Sequence, residues 1–412
     1  MDLARRAFDW IASVAVAADG GLAWLEDGAL FDDLYSGTAG VLLGCAEAAA
    51  AGLGTADVSA GARGRLLSLA RQGPGVATMP DDGVFSGWAG VAVALRAWSD
   101  ATGDPAAAEG AAQVTRQIAG RVTQAPPDPL RYTDVISGDA GLLLVLIADD
   151  LGTSVQAAHV LADRLVKAAE RFPEGFHWRM VAGWEYIMPG FSHGTAGAAY
   201  ALAAAGRAVH RRDLVDVATR GAEAVLAAGD RPGGWAVPLA IPPRPHAPEV
   251  NYGWCHGPAG TARLFVVLNE IDPQPRWQHA IDASLQALRD SRLPARLYPG
   301  YWDNVARCCG TAGVGQFLLD RYQATGDTAL LDWAGVLAAD VIARAVTTPP
   351  GVSWSNTEHT RTPPELAPEP GFMQGAAGIA GWLSRLHALR ARRGSPVTRP
   401  GSPAARPGPA WL

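Results

Sequence analysis

The chain has 412 residues, 34 basic against 40 acidic side chains and a formal net charge of −6, and no basic patch stands out. That balance argues against a protein built to neutralise nucleic-acid phosphates. No apolar run approaches the length of a membrane span. Four cysteines without framework spacing fit a reducing cytoplasm, where metal binding or catalysis explains them better than disulfides do.

The N-terminus, Met1-Asp2-Leu3-Ala4-Arg5-Arg6, leads into a short amphipathic helix rather than a secretory apolar segment. A short motif then recurs seven times: Ser36-Gly37-Thr38-Ala39-Gly40, Ser86-Gly87-Trp88-Ala89-Gly90, Ser137-Gly138-Asp139-Ala140-Gly141, His193-Gly194-Thr195-Ala196-Gly197, His256-Gly257-Pro258-Ala259-Gly260, Cys309-Gly310-Thr311-Ala312-Gly313 and Gln374-Gly375-Ala376-Ala377-Gly378. The first glycines, at 37, 87, 138, 194, 257, 310 and 375, are spaced as a helical hairpin with its loops would be. Each motif precedes a run that is apolar nearly all round, such as Val91 to Leu95 or Leu142 to Leu146, which predicts a buried inner helix. Stretches such as Ala280 to Ser291 predict amphipathic outer helices, and strand signals are weak. The motif glycines are expected to let the backbone turn sharply and let helices approach closely.

These elements predict an all-α fold, an α/α toroid of about seven helical hairpins. An open solenoid is the alternative, but it would want polar caps at both ends. In a closed ring the inner helices start at one end, and their dipoles and free N–H groups make that end electropositive. Three loops break the pattern: Pro126 to Pro129, Arg231 to Val250, and Thr347 to Pro370 with its Trp-Ser-Asn element. Such loops read either as lids or as plain insertions. Residues 1–393 are expected to form a single domain, and the Pro/Gly/Ser/Arg-rich residues 394–412 a disordered tail.

The candidate site draws on three motifs. Cys255 lies in Asn251-Tyr252-Gly253-Trp254-Cys255-His256-Gly257, and Cys308 and Cys309 are adjacent. Catalytic zinc takes three protein ligands and keeps one open position, and thiolates are among its preferred donors. The bland alternative is three buried, inert thiols. His193 and His256 stand where other motifs have serine or glutamine. Cys45 reads as a core thiol; His210, His279 and His387 read as structural or surface residues; His359 lies in the late loop. Trp88, Trp184, Tyr186, Tyr252, Trp254 and Trp302 either wall a peptide cleft or pack helix–loop junctions.

The seven motifs, with Trp254-Cys255-His256-Gly257, Cys308-Cys309-Gly310 and Ser192-His193-Gly194, resemble the LanC-like lanthionine synthetase cyclases over roughly residues 30 to 390. The resemblance implies an α/α toroid with one zinc ion and an enzyme that adds cysteine thiols to dehydroalanine or dehydrobutyrine, making thioether rings in a ribosomal precursor peptide. It places the zinc ligands on Cys255, Cys308 and Cys309; the family's third ligand is often histidine, and three cysteines resemble a subset of LanM-type cyclase domains. The catalytic histidine falls on His193 and the catalytic aspartate on Asp134. His193 or His256 is the expected proton donor, with Asp134 orienting the histidine or helping to activate the thiol. Nisin-type cyclases carry arginine where Asn251 stands and tyrosine where His256 stands. The expected partners are a dehydrated precursor peptide and a separate dehydrating enzyme, in the cytoplasm. Competing readings are glutathione addition to dehydrated residues, a non-catalytic peptide-binding scaffold, and an α/α glycosidase with paired carboxylates from Asp32, Asp33, Asp81, Asp82, Asp134, Asp139 and Asp303.

Overall fold

The computed structural model describes all residues except 27, 76–77, 80, 126–127, 129, 149–151, 153, 232–233, 246, 297–302, 358–361 and 394–407. Most of the Pro126–Pro129 turn, Trp302 and His359 therefore lie outside the described residues.

Helices dominate, and they alternate as the repeat predicts. Among the described residues, seven inner helices each begin at or just after a motif glycine: α2 (Thr38–Ala50), α4 (Ala89–Thr102), α6 (Asp139–Ala148), α8 (Thr195–Ala208), α10 (Pro258–Ile271), α12 (Thr311–Thr325) and α14 (Ala376–Ala391). Seven outer helices separate them: α1 (Asp2–Ser13), α3 (Ala56–Gln72), α5 (Pro105–Gln124), α7 (Val155–Ala168), α9 (Arg212–Gly229), α11 (Pro275–Asp290) and α13 (Thr328–Ala343). Composition separates the two classes. In α8 the whole stretch from Thr195 to Gly206 is buried, whereas α9 buries one stripe through Leu214, Ala218, Ala222 and Val225. No described helix is long and apolar enough to cross a membrane.

The weak strand signals correspond to small antiparallel ribbons on the way from an outer to an inner helix: β1 (Val16–Ala18), β2 (Gly21–Glu26) and β3 (Ala29–Phe31); β4 (Glu170–Phe172) and β5 (Gly175–His177); β6 (Asp230–Arg231) and β7 (Gly234–Trp235); β8 (Val346–Thr348) and β9 (Gly351–Ser353). Three of them are followed or crossed by a buried tryptophan with a shared task. The indoles of Trp24, Trp178 and Trp354 donate to the carbonyls of Ile11, Leu165 and Val341, each 13 residues earlier in the preceding outer helix. Each bond gives a carbonyl in the last turn of its helix a side-chain donor.

The motif glycines permit close approach, as expected, while the expectation of free helix N–H groups is corrected. None of its glycines has a positive φ; what excludes a side chain is proximity. A Cβ at Gly194 would lie 1.7 Å from the Met188 carbonyl oxygen, and one at Gly260 would lie 1.9 Å from that of Trp254. The inner-helix N–H groups are not free either. Thr311, Ala312 and Gly313 donate to the carbonyls of Asn304, Val305 and Ala306, and Ala140 and Gly141 to those of Thr133 and Asp134. The loop before each of these motifs folds back over the helix end and takes up its orphan donors.

The chain forms two compact units, Met1–Pro80 with Gly90–Val114 and Leu293–Leu412, and Asp81–Ala89 with Thr115–Arg292. In the first, α14 packs against α2, so closely that a Cβ at Gly44 would lie 2.6 Å from the Ala377 carbonyl oxygen. Residues 408–412, expected to be disordered with the rest of the tail, have Trp411 and Leu412 buried, and the space over Gly408 meets Leu43 and Ala97. Apolar burial at these two residues overrides the disorder-prone composition of the segment before them.

Candidate metal and proton-transfer site

Backbone bonds between neighbouring motif loops place the candidate residues. In the second unit, Phe85 N–H donates to Ile136 O, Val135 N–H to Ser192 O, and both Phe191 and Ser192 N–H to Cys255 O. In the first unit, Cys308 N–H donates to Met373 O, and Phe372 and Met373 N–H donate to Tyr35 O. Cys255 and Cys308 are thus held in place by their main chains.

The Sγ atoms of Cys255, Cys308 and Cys309 all lie within 4.8 Å of one another. Those of Cys308 and Cys309 are 3.4 Å apart, and none of the four cysteines forms a disulfide. Three sulfurs about 2.3 Å from one tetrahedral zinc stand roughly 3.8 Å from each other. Donor type and spacing therefore fit that ion. Cys255 and Cys308 are buried, and Cys309 is partly exposed. Cys45 is a different kind of thiol: it is fully buried, and burial pushes its pKa up to about 12.

His193 and Asp134, which the resemblance assigned to the site separately, are bonded. His193 Nδ1 lies 2.6 Å from Asp134 Oδ2, while Asp134 Oδ1 accepts the Ser137 N–H at 3.0 Å. Asp134 is 1 % exposed, and the His193 side chain is 32 % exposed. A carboxylate acceptor at this distance favours the tautomer with the proton on Nδ1. The His256 ring stands 5.9 Å from that of His193. Asn251 is spent on a turn, its Oδ1 accepting the Gly253 N–H at 2.7 Å.

The sequence reading missed several supporting residues. His177 Nδ1 meets Thr195 Oγ1 at 2.9 Å, directly after the His193 motif, and its burial lowers its pKa. Lying outside the motif, it gave no sequence signal. Gln374 reaches Cys309 Sγ at 3.9 Å; its motif position, shared with His193, His256 and Cys309, was the available clue. Trp88 and Trp254 are buried packing residues, while Trp184, Tyr186 and Tyr252 are half-exposed. His210, His279 and His387 are exposed.

Residues 29–396 match the family described as lanthionine synthetase C-like protein. Among solved structures, nisin cyclase superposes with a TM-score of 0.61 at 13% identity, over 86% of this chain and 88% of that one. An α-1,6-mannanase of Salegentibacter superposes at 0.52 with 10% identity, over 95% and 98% of the two chains. D-mannose isomerase does so at 0.52 with 10% identity, over 94% and 96%. At these identities the likeness is one of fold, the all-α toroid. No curated protein sequence matches the chain.

Proposed function

Because the chain belongs to the lanthionine synthetase C-like family, we propose that it is a zinc-dependent cyclase acting on a dehydrated precursor peptide, with residues 1–393 working as one domain. The observation that carries this reading is the meeting of three cysteine sulfurs within 4.8 Å. Cys255, Cys308 and Cys309 would hold the ion. Zinc in that position supplies acidity, keeping an incoming cysteine deprotonated near neutral pH.

The chain's own residues then manage protons. The substrate sulfur bonds to the β-carbon of dehydroalanine or dehydrobutyrine, the C=C bond becomes single, and the α-carbon needs a proton. His193 delivers it from Nε2, and Asp134 holds the Nδ1–H so that the ring keeps that orientation. His256, beside it, is the second candidate donor. The net change is addition of S–H across a double bond, so the peptide's mass is unchanged. A separate enzyme would dehydrate the peptide beforehand.

The glycosidase reading is disfavoured by the acids themselves. An inactive variant of the mannanase has two consecutive aspartates replaced. Here the consecutive acids have other partners. Asp32 is paired with Arg65 at 2.7 Å, Asp33 accepts the Ser36 and Gly37 N–H groups, Asp81 accepts from Gly83 and Ser86, and Asp82 pairs with Arg121.

Elemental analysis and incubation with a dehydrated, cysteine-containing peptide test the proposal together. We expect about one zinc per chain and loss of free peptide thiol without change of mass; Cys309→Ala should lose both metal and reaction. A metal-free, folded wild-type protein that still closes rings would sink the zinc assignment. Thiol consumption only when glutathione is supplied would replace the peptide cyclase by a glutathione-adding enzyme.

A further inference from the structure

We propose that Gln374 is a positioning residue for the third sulfur ligand, donating an amide N–H to the Cys309 thiolate. This rests on the metal-site reading above.

The orientation of the Gln374 amide follows from a chain of donors. Asn304 Oδ1 accepts the Ala306 N–H at 2.8 Å, so Asn304 presents its Nδ2 elsewhere. That Nδ2 lies 3.0 Å from Gln374 Oε1. A donor opposite fixes the Gln374 atom there as oxygen, which assigns Nε2 to the other side. Nε2 has two hydrogens and two acceptors within reach: Tyr35 Oη at 3.1 Å and Cys309 Sγ at 3.9 Å. The amide is used up completely.

The main chain at Gln374 is clamped as well. Asn356 Nδ2 donates to Gln374 O at 2.8 Å, and Asn356 Oδ1 accepts the Val305 N–H at 3.2 Å. Asn356 is 5 % exposed. It belongs to the late loop, Thr347 to Pro370, which at this residue is a clamp joining the sixth and seventh motifs.

A sulfur ligand needs such a donor here. Three thiolates on one divalent ion leave an excess negative charge, and a fourth from the substrate adds to it. A hydrogen bond from a neutral donor spreads that charge and orients the ligand. The N-terminus of α12 is not the source, because its first N–H groups already serve Asn304, Val305 and Ala306. Gln374 supplies the bond from the neighbouring motif.

The test compares the wild-type chain with Gln374→Leu, which removes the donor, and Gln374→His, whose Nε2–H reaches about as far. Zinc affinity is read by competition with a chromophoric chelator, and the thiolate-to-cobalt charge-transfer band is read after Co²⁺ substitution. Loss of an outer partner of a metal ligand typically weakens metal binding by about 10- to 100-fold. We expect that loss in Gln374→Leu, a shift of the charge-transfer band to lower energy, and recovery of most of both in Gln374→His. Far-ultraviolet circular dichroism checks that each variant is folded. If Gln374→Leu fails to fold, Gln374→Glu, which has the same shape without the donor at neutral pH, takes its place. A wild-type chain that takes up no metal would overturn the site itself. A wild-type chain that binds metal, with a folded donor-free variant of equal affinity and unchanged band, would overturn the role of Gln374 and leave the site standing.

Discussion

The first three motifs and the last four have the same frame and different contents. An aspartate or asparagine closes the turn before the helix in both groups: Asp33 accepts from Ser36 and Gly37, Asp81 from Gly83, Asp134 from Ser137, Asn251 from Gly253 and Asn304 from Ala306. What differs is the residue just before the first glycine. It is Ser36, Ser86 and Ser137 in one group and His193, His256, Cys309 and Gln374 in the other. The hydroxyls of Ser86 and Ser137 are 2.8 Å apart, and Ser86 also bonds Asp81. Ser86 and Ser137 thus bond each other across neighbouring motifs. The turn itself is closed by backbone N–H groups and the earlier aspartate or asparagine, so the frame accepts different side chains at that position. Asp134 belongs to both groups, with one oxygen on its own turn and the other on His193.

The strongest way to break this comparison is at His193. His193→Asn should keep its zinc and lose about 10²- to 10⁴-fold in cyclisation rate, the usual worth of a general acid, followed as loss of free thiol. Asp134→Asn should fall in the same range, since its amide would oppose the Nδ1–H and reverse the ring's preferred tautomer. Equal rates in wild type and His193→Asn, with a dead His256→Asn, would reassign the proton donor.

Next in size is the support beneath Cys308. Arg307 pairs with Glu47 of α2, donates to Gly378 O at 2.9 Å and lies over the Phe372 ring; both charged residues are at most 3 % exposed. Glu47→Ala leaves a buried guanidinium without its counter-charge, which typically costs about 3–5 kcal/mol. Urea titration measures the loss, and a change under about 1 kcal/mol would show that Arg307 finds other compensation.

Asp33 sharpens the comparison through pH. Burial raises its pKa from 3.8 to about 6, against the lowering effect of the Ser36 and Gly37 N–H groups. The folded state then binds the proton more tightly than the unfolded one. Stability from this group is present in full below pH 3.8 and falls as pH rises to about 6, by up to about 3 kcal/mol. Asp33→Asn keeps the turn's acceptor and removes the charge. Its unfolding free energy should vary less between pH 4 and 6 and exceed the wild-type value at pH 7; an unchanged profile would refute the shift.

The smallest effect belongs to the serines. Ser86→Ala removes an ordinary hydrogen bond, worth about 0.5–1.5 kcal/mol, and should leave the cyclisation rate of the folded protein as it was. A tenfold drop would move part of the chemistry into the first group.

The sequence by itself determined the hairpin period, the alternation of inner and outer helices and the residues offered at each motif. These follow from local periodicity and from one short motif, both visible along the chain. Its reasons were less legible. The glycines are required by carbonyls beside them rather than by a turn, and the helix N–H groups are occupied by preceding loops, because both depend on how a loop folds over its own helix. Ribbons of two to six residues leave too short a pattern to detect. Only the tertiary structure decided that Asp134 reaches a histidine 59 residues away, that Gln374 faces Cys309 across 65, and that Asn356 clamps Gln374. Such partners lie one repeat apart or in an intervening loop, and packing of neighbouring hairpins sets their distance, which no spacing along the chain encodes.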